Sequence, residues 1–245
     1  MAYVFSRQQE TDPKSPILKL LESRRWISRS ITRRAFKLVS KRSSHDGRNY
    51  TIPAMDVDLQ EARTLFETNF FAVIIMCQTF LPLLMKAKGT VVQIGSVSGI
   101  LPYVFGSVYN ASKAALHSFS DTLRIELEPF NVKVIVVVTG GVQSRIAHED
   151  RKLPPSSIYQ PITTEYNRRV KHSQEGAMDC HVYAQSVVSQ VLGNTSSPTS
   201  RWYQNWIWEG NRTGMIKFLA GGWLWFGFYG WLFWRMFNLN KLRRG

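Results

Sequence analysis

From Val57 to Lys86 apolar residues recur along a stretch too long for a strand, and their spacing predicts helices over that range. Thr90-Val91-Val92-Gln93-Ile94-Gly95 then reads as a short buried strand that opens into a Ser-Val-Ser-Gly loop. The pattern goes on with a helix around Tyr109 that ends near Glu128, a β-branched strand at Val132 to Val138, a helix around His181 to Leu192, and a last strand near Tyr203 to Glu209. Strands alternating with helices predict an α/β fold in three layers, a parallel sheet with helices flanking it.

Within that frame one constellation carries chemistry. Tyr109-Asn110-Ala111-Ser112-Lys113 puts a phenol and an ammonium one helical turn apart on one face, with Ser96 thirteen residues upstream. A nearby ammonium favours the phenolate, which lowers a phenol pKa of about 10 and makes Tyr109 a usable proton donor near neutrality. Ser96 falls at the carboxyl end of the first strand, where open parallel sheets bind ligands, and its hydroxyl is placed to orient a substrate oxygen. A tyrosine and lysine at this spacing also arise by chance on a helix with a half-buried tyrosine, so the surrounding pattern decides.

That pattern, from the strand at Thr90 through the Tyr109 helix to Thr139-Gly140-Gly141-Val142-Gln143-Ser144, closely resembles the short-chain dehydrogenase/reductase family over roughly residues 47 to 245. The resemblance implies the latter half of a Rossmann-type parallel sheet and a reaction that moves a hydride to or from a carbonyl. It implies Ser96 as the substrate-orienting serine, Tyr109 as the acid/base, Lys113 as its partner and a ribose-binding residue, and Asn69 as the fourth member, holding a relay water. The 139–144 segment resembles the family's Pro-Gly-x-x-x-Thr, with threonine for proline and serine for threonine, which implies nicotinamide contacts at Val142 and Ser144. Further matches at Gly47-Arg48-Asn49-Tyr50, Gln174-Glu175-Gly176-Ala177-Met178 and Trp206-Ile207-Trp208-Glu209-Gly210 are similar to fungal NADPH-dependent 1-acyldihydroxyacetone phosphate reductases. They imply NADPH as cofactor and a lipid-related ketone as substrate. Residues 140 to 180, polar and carrying Pro154-Pro155, then correspond to a mobile substrate loop with its helices, and Leu101 to Phe105 beside Ser96 give either an apolar wall suited to an acyl chain or, for any one of them, an ordinary core patch.

The family opens with a strand and a glycine-rich turn that seats the pyrophosphate at a helix N-terminus. The first 88 residues here contain one glycine, Gly47, and Ser43-Ser44-His45-Asp46-Gly47 stands where Asn-Asn-Ala-Gly is expected. The expected organisation is therefore a basic, non-homologous segment at 1–46, a truncated dehydrogenase domain at 47–212 without its dinucleotide-binding half, and a hydrophobic segment at 213–245. Two functions follow: an NADPH-dependent carbonyl reductase, or a catalytically inactive remnant acting as a membrane-associated interaction protein.

Composition changes this picture in one respect. The net charge of +14 is concentrated before residue 49 and at the carboxyl end, without zinc spacing, a helix-turn-helix pattern or an RNA-binding aromatic motif, so a nucleic-acid partner is not expected. A membrane surface accounts for it more simply. Phe218 to Trp234 is uncharged and rich in aromatic residues and glycine, flanked by Lys217 and Arg235 and followed by Lys241, Arg243 and Arg244. As a helix it reaches about 25 Å, short of a hydrocarbon core of roughly 30 Å, so a shallow embedded hairpin is expected over a single span. The basic tail would lie on the cytosolic side of endoplasmic reticulum or lipid-droplet membrane. Cys77 and Cys180 have no metal or redox spacing and the five histidines form no ligand pair, so no metal is expected. The pattern specifies no oligomeric state.

Overall fold

A computed structural model describes residues 48–144, 146, 151–172, 174–195, 206–220, 232 and 235–239. Its centre is a three-stranded parallel sheet in the order β1 (Thr90–Ile94), β2 (Lys133–Thr139), β3 (Trp206–Glu209). Thr90 stands opposite Lys133, and Val136 opposite Trp206. Val134 to Val138 of β2 are at most 1% exposed, as a β-branched run covered on both faces should be.

Side-chain alternation along the strands divides the core into layers. Val91 and Val134 face Cys77 of helix α2 (Ala72–Ala87) and Leu123 and Leu127 of helix α3 (Ser107–Leu127). Val92, Ile135 and Val137 face Tyr183 and Val187 of helix α5 (Cys180–Thr195). The predicted α/β architecture is thus present, with α3 in the crossover from β1 to β2 and two helices between β2 and β3. Residues 203–205 of the expected last strand lie outside the described residues.

The first helical run is more articulated than its pattern implies. Helix α1 (Leu59–Phe66) starts at Asp58, whose Oδ1 accepts the Glu61 amide at 2.8 Å, a side-chain cap for an otherwise orphaned donor. A π-helical turn, Glu67–Phe71, then joins α1 to α2. By length and composition alone the continuous Leu59–Ala87 stretch is long and apolar enough to cross a bilayer. Leu65, Asn69, Cys77 and Phe80 within it are buried in the fold, while Leu59, Phe71 and Ile75 are exposed.

Residues 140 to 180, expected as a mobile substrate loop with its helices, contribute a helix to the core where described. Helix α4 (Thr163–Lys171) buries Tyr166 and Val170, with Ile162 just before it, against Tyr50, Ile52, Leu65 and Phe105. Apolar side chains four apart on one turn-by-turn stripe explain this docking. Phe105 belongs to this core. Of the expected acyl-chain wall, Leu101 and Tyr103 face the cavity described below.

The expected membrane run, residues 218–234, lies largely outside the described residues. Its flanks pack on the domain: Ile216 of helix α6 (Thr213–Ala220) and Phe237 meet Leu101 in one buried cluster. Arg168 donates to the Met236 carbonyl, and Asn238 Nδ2 to Glu165 Oε1 at 3.0 Å.

Candidate active site

Parallel strands deliver their carboxyl ends to one edge of the sheet, and there β1 is followed by the loop of Ser96, β2 by Gly140 to Ser144 and β3 by Gly210 to Arg212. These loops surround a cavity of about 460 Å³, within the range of small-ligand sites. Its lining includes Ser96, Tyr109, Lys113, Asn69, Val142 and Ser144. All six residues singled out from sequence are therefore brought together.

Close approach of backbone makes this possible at two glycines. A Cβ on Gly95 would stand 2.2 Å from Nε2 of His117, and one on Gly140 would stand 2.2 Å from the Asn211 carbonyl oxygen. Only glycine admits α3 behind β1 and the Gly141–Asn211 pairing beyond β2.

Ser96 is 7% exposed, in extended backbone. Its amide donates to Nε2 of His117 at 3.2 Å, and its Oγ accepts from the Ser98 amide at 3.1 Å. Tyr109, on α3, lines the same cavity as Ser96. Burial raises the Tyr109 phenol pKa above its ordinary value, and the Ser96 side chain and the charge of Arg169 oppose that shift without cancelling it. The expectation that Lys113 lowers this pKa is corrected. Lys113 Nζ donates to the Ile94 carbonyl at 2.9 Å and lies 5.9 Å from the centre of the Tyr109 ring, and desolvation of the phenol dominates. Burial also lowers Lys113, to about 8.

Asn69 sits on the π-helical turn, a device that re-aims side chains at sites. Its Oδ1 accepts the Arg48 amide at 3.0 Å, while Nδ2 donates to the Arg48 carbonyl at 2.9 Å and to Ser112 Oγ at 3.3 Å. The side chain thereby clamps the segment entering the site. Val142 pairs with Met178 in an isolated parallel bridge, and the Ser144 amide donates to Gln174 Oε1 at 3.1 Å.

Sequence reasoning missed two residues here. His117 is 4% exposed, with Nδ1 unpartnered, and burial together with the Lys113 charge lowers its pKa to about 4. It continues the Tyr109, Lys113 face by one more turn, and that spacing is the signal. Arg169 is 3% exposed in the cavity wall. Its one sequence signal is its place beside the Ile162, Tyr166, Val170 stripe.

Residues 47–154 match the family model described as short chain dehydrogenase. The chain is 40% identical over 196 residues to a short-chain dehydrogenase of Hypocrea virens, covering 79% of this chain and 65% of that one. It is 36% identical over 214 residues to a short-chain dehydrogenase of Penicillium crustosum, covering 81% and 78%. The chain belongs to the short-chain dehydrogenase family. A 37% identity over 176 residues links this dehydrogenase to the NADPH-dependent 1-acyldihydroxyacetone phosphate reductase of Saccharomyces cerevisiae, covering 71% of this chain and 57% of that one. Its matched part spans about two thirds of the length of the Hypocrea relative. A Streptomyces avermitilis short-chain dehydrogenase structure shares the fold at a TM-score of 0.58 and 19% identity, covering 94% of this chain and 84% of that one.

Proposed function

We propose that this cavity reduces a ketone to an alcohol with NADPH. The observation that carries the reading is that Ser96, Tyr109 and Lys113 line one cavity at the carboxyl edge of the sheet, with Lys113 one turn further than Tyr109 along α3. NADPH, when bound, supplies the hydride. Ser96 and Tyr109 hold the carbonyl oxygen, and as the carbon gains hydride Tyr109 gives that oxygen its phenolic proton, so a ketone, NADPH and one proton yield an alcohol and NADP⁺. Raised by burial, the Tyr109 phenol is protonated at neutral pH and ready to donate.

The nicotinamide end of the cofactor fits the residues present. Lys113 Nζ spends one proton on Ile94 and keeps two donors in a cavity it shares with the Tyr109 hydroxyl, Val142 and Ser144, a donor set suited to ribose hydroxyls. With Gly47 the one glycine before residue 89, a glycine turn for the pyrophosphate is not written in that stretch, so the assay uses millimolar NADPH. Loss of NADPH absorbance that depends on an added ketone supports the proposal, and no such loss refutes it. Likeness to the yeast reductase and the apolar lining at Leu101, Ile216 and Met236 support a lipid-related ketone as the substrate.

Membrane attachment through residues 218–234 on the cytosolic face of endoplasmic reticulum or lipid droplets belongs to the same proposal. Ile216 and Phe237 meet in one cluster, so a run that enters lipid between them re-emerges on the same side, which favours a hairpin. Replacing Trp223, Leu224, Trp225 and Phe226 with serine should move a fluorescent fusion from the salt-washed membrane fraction to the soluble one. An unchanged distribution refutes the anchor.

A further inference from the structure

The cavity holds a cation that the proton-transfer chemistry does not use. Arg169 is 3% exposed, its Nε donates to the Val104 carbonyl at 3.0 Å, and its guanidinium lies 3.6 Å from the centre of the Tyr103 ring. A buried guanidinium ordinarily meets a carboxylate, because an uncompensated charge in a low dielectric is costly. Among the described residues, the groups whose charge acts on Arg169 are the phenols of Tyr103, Tyr109 and Tyr166. Glu175, a carboxylate in the lining, is exposed, and its charge bears on Tyr103 and His172.

Other groups reinforce the same side. Arg212 lines the cavity with His172, the two joined at 3.2 Å through Nη1 and Nε2, and the Tyr103 hydroxyl hydrogen-bonds the other ring nitrogen of His172. Lys113, Arg169 and Arg212 thus stand in the lining against Glu175. The charge of Arg169 acts on Tyr109, which puts this positive region within reach of the reacting oxygen. Leu101, Ile216 and Met236 give the cavity an apolar wall as well.

From this we infer that Arg169, with Arg212 and His172 beside it, forms an anion subsite, and that the substrate is a ketone carrying a phosphate or carboxylate close to its carbonyl, with an apolar remainder. This deepens the carbonyl-reduction reading and rests on it for the word substrate. The planar fork of arginine matches either oxyanion with paired charge-assisted hydrogen bonds. Bringing in the anion supplies the counter-charge that the described residues leave out, so recognition and relief of the buried charge are one event.

The test is a calorimetric titration of the full chain, without cofactor, with two matched pairs of ketones: acetonylphosphonate against its dimethyl ester, and levulinate against methyl levulinate. At least one acid should bind about tenfold or more tightly than its ester, the gain of a charge-assisted contact. Which acid shows the larger preference separates phosphate-type from carboxylate-type recognition. Arg169→Met should abolish the preference. Because that side chain also holds Val104, Arg169→Lys and the exposed Arg212→Gln are read alongside it, with circular dichroism confirming folding, and each should reduce the preference severalfold. Equal binding of acids and esters overturns the inference, as does a preference that survives intact in every folded variant. Tyr109→Phe should leave the anion preference in place, so loss of NADPH consumption and loss of anion recognition are told apart.

Discussion

The amide of Ser96 donates to Nε2 of His117 at 3.2 Å. This contact ties the loop after β1 to the buried face of α3, and it requires His117 neutral with its proton on Nδ1. A protonated imidazole has no lone pair for the Ser96 amide, so protonation releases the loop that carries Ser96 into the cavity shared with Tyr109.

That relationship predicts an acid transition. The folded pKa of His117 is about 4, against about 6.5 unfolded. Between these values the unfolded chain binds more protons, so the stability this residue confers is present above pH about 6.5 and is lost as pH falls through about 4. The shift corresponds to about 3 kcal/mol. Urea unfolding at several pH values should show this slope, and His117→Gln should flatten it. An equal slope in the variant would contradict the assignment.

Lys113, lowered to about 8 by burial, predicts the alkaline side of the reaction. Reduction should decline above pH about 8 as the ammonium loses its proton, while Tyr109, raised by burial, remains a phenol there. Lys113→Arg should retain part of the activity and move the decline to higher pH, read as kcat/KM against pH. A limb that stays near 8 in that variant would assign it to another group.

The central strand predicts where stability resides. Val137 is 0% exposed and Ile125 is 66% exposed. Val137→Ala should cost about 2 kcal/mol through lost burial and the space left behind, whereas Ile125→Ala should fall within about 0.5 kcal/mol of the parent. Denaturant midpoints compare the two directly.

Gly140 predicts a local effect. A methyl group there meets the Asn211 carbonyl at 2.2 Å, so Gly140→Ala must break the pairing of Gly141 with Asn211 and loosen the segment bearing Val142 and Ser144. Amide exchange should accelerate at Gly141 and Asn211 while β1 stays protected. Unchanged exchange would show that the approach is less tight than described.

How far these features were legible in the sequence depends on whether local spacing carries them. The β-branched run at Lys133 to Thr139 could only be a strand buried on both faces, and Tyr109 and Lys113 announce their shared face at four residues apart. The π-helical turn that aims Asn69 leaves no mark in the apolar pattern of Leu59 to Ala87, because one extra backbone residue per turn needs no special composition. Residues 140 to 180 read as a mobile substrate loop with helices of unstated position since their apolar positions are sparse, yet Ile162, Tyr166 and Val170 lie on one stripe and are nearly completely buried. Arg169 was invisible for a related reason: partners distant in sequence, Val104 and Tyr103, turn an ordinary helix arginine into part of a cavity.

The central claim is that Tyr109 donates the proton in an NADPH-dependent ketone reduction. It is tested most directly by following NADPH absorbance with the full chain at millimolar NADPH and a panel of acidic and neutral ketones, in parallel with Tyr109→Phe. The account predicts ketone-dependent consumption that falls by about 10²- to 10⁴-fold in the variant, the contribution of a positioned acid, with the fold unchanged by circular dichroism. Consumption at the same rate in Tyr109→Phe, or none in the parent chain, would contradict it.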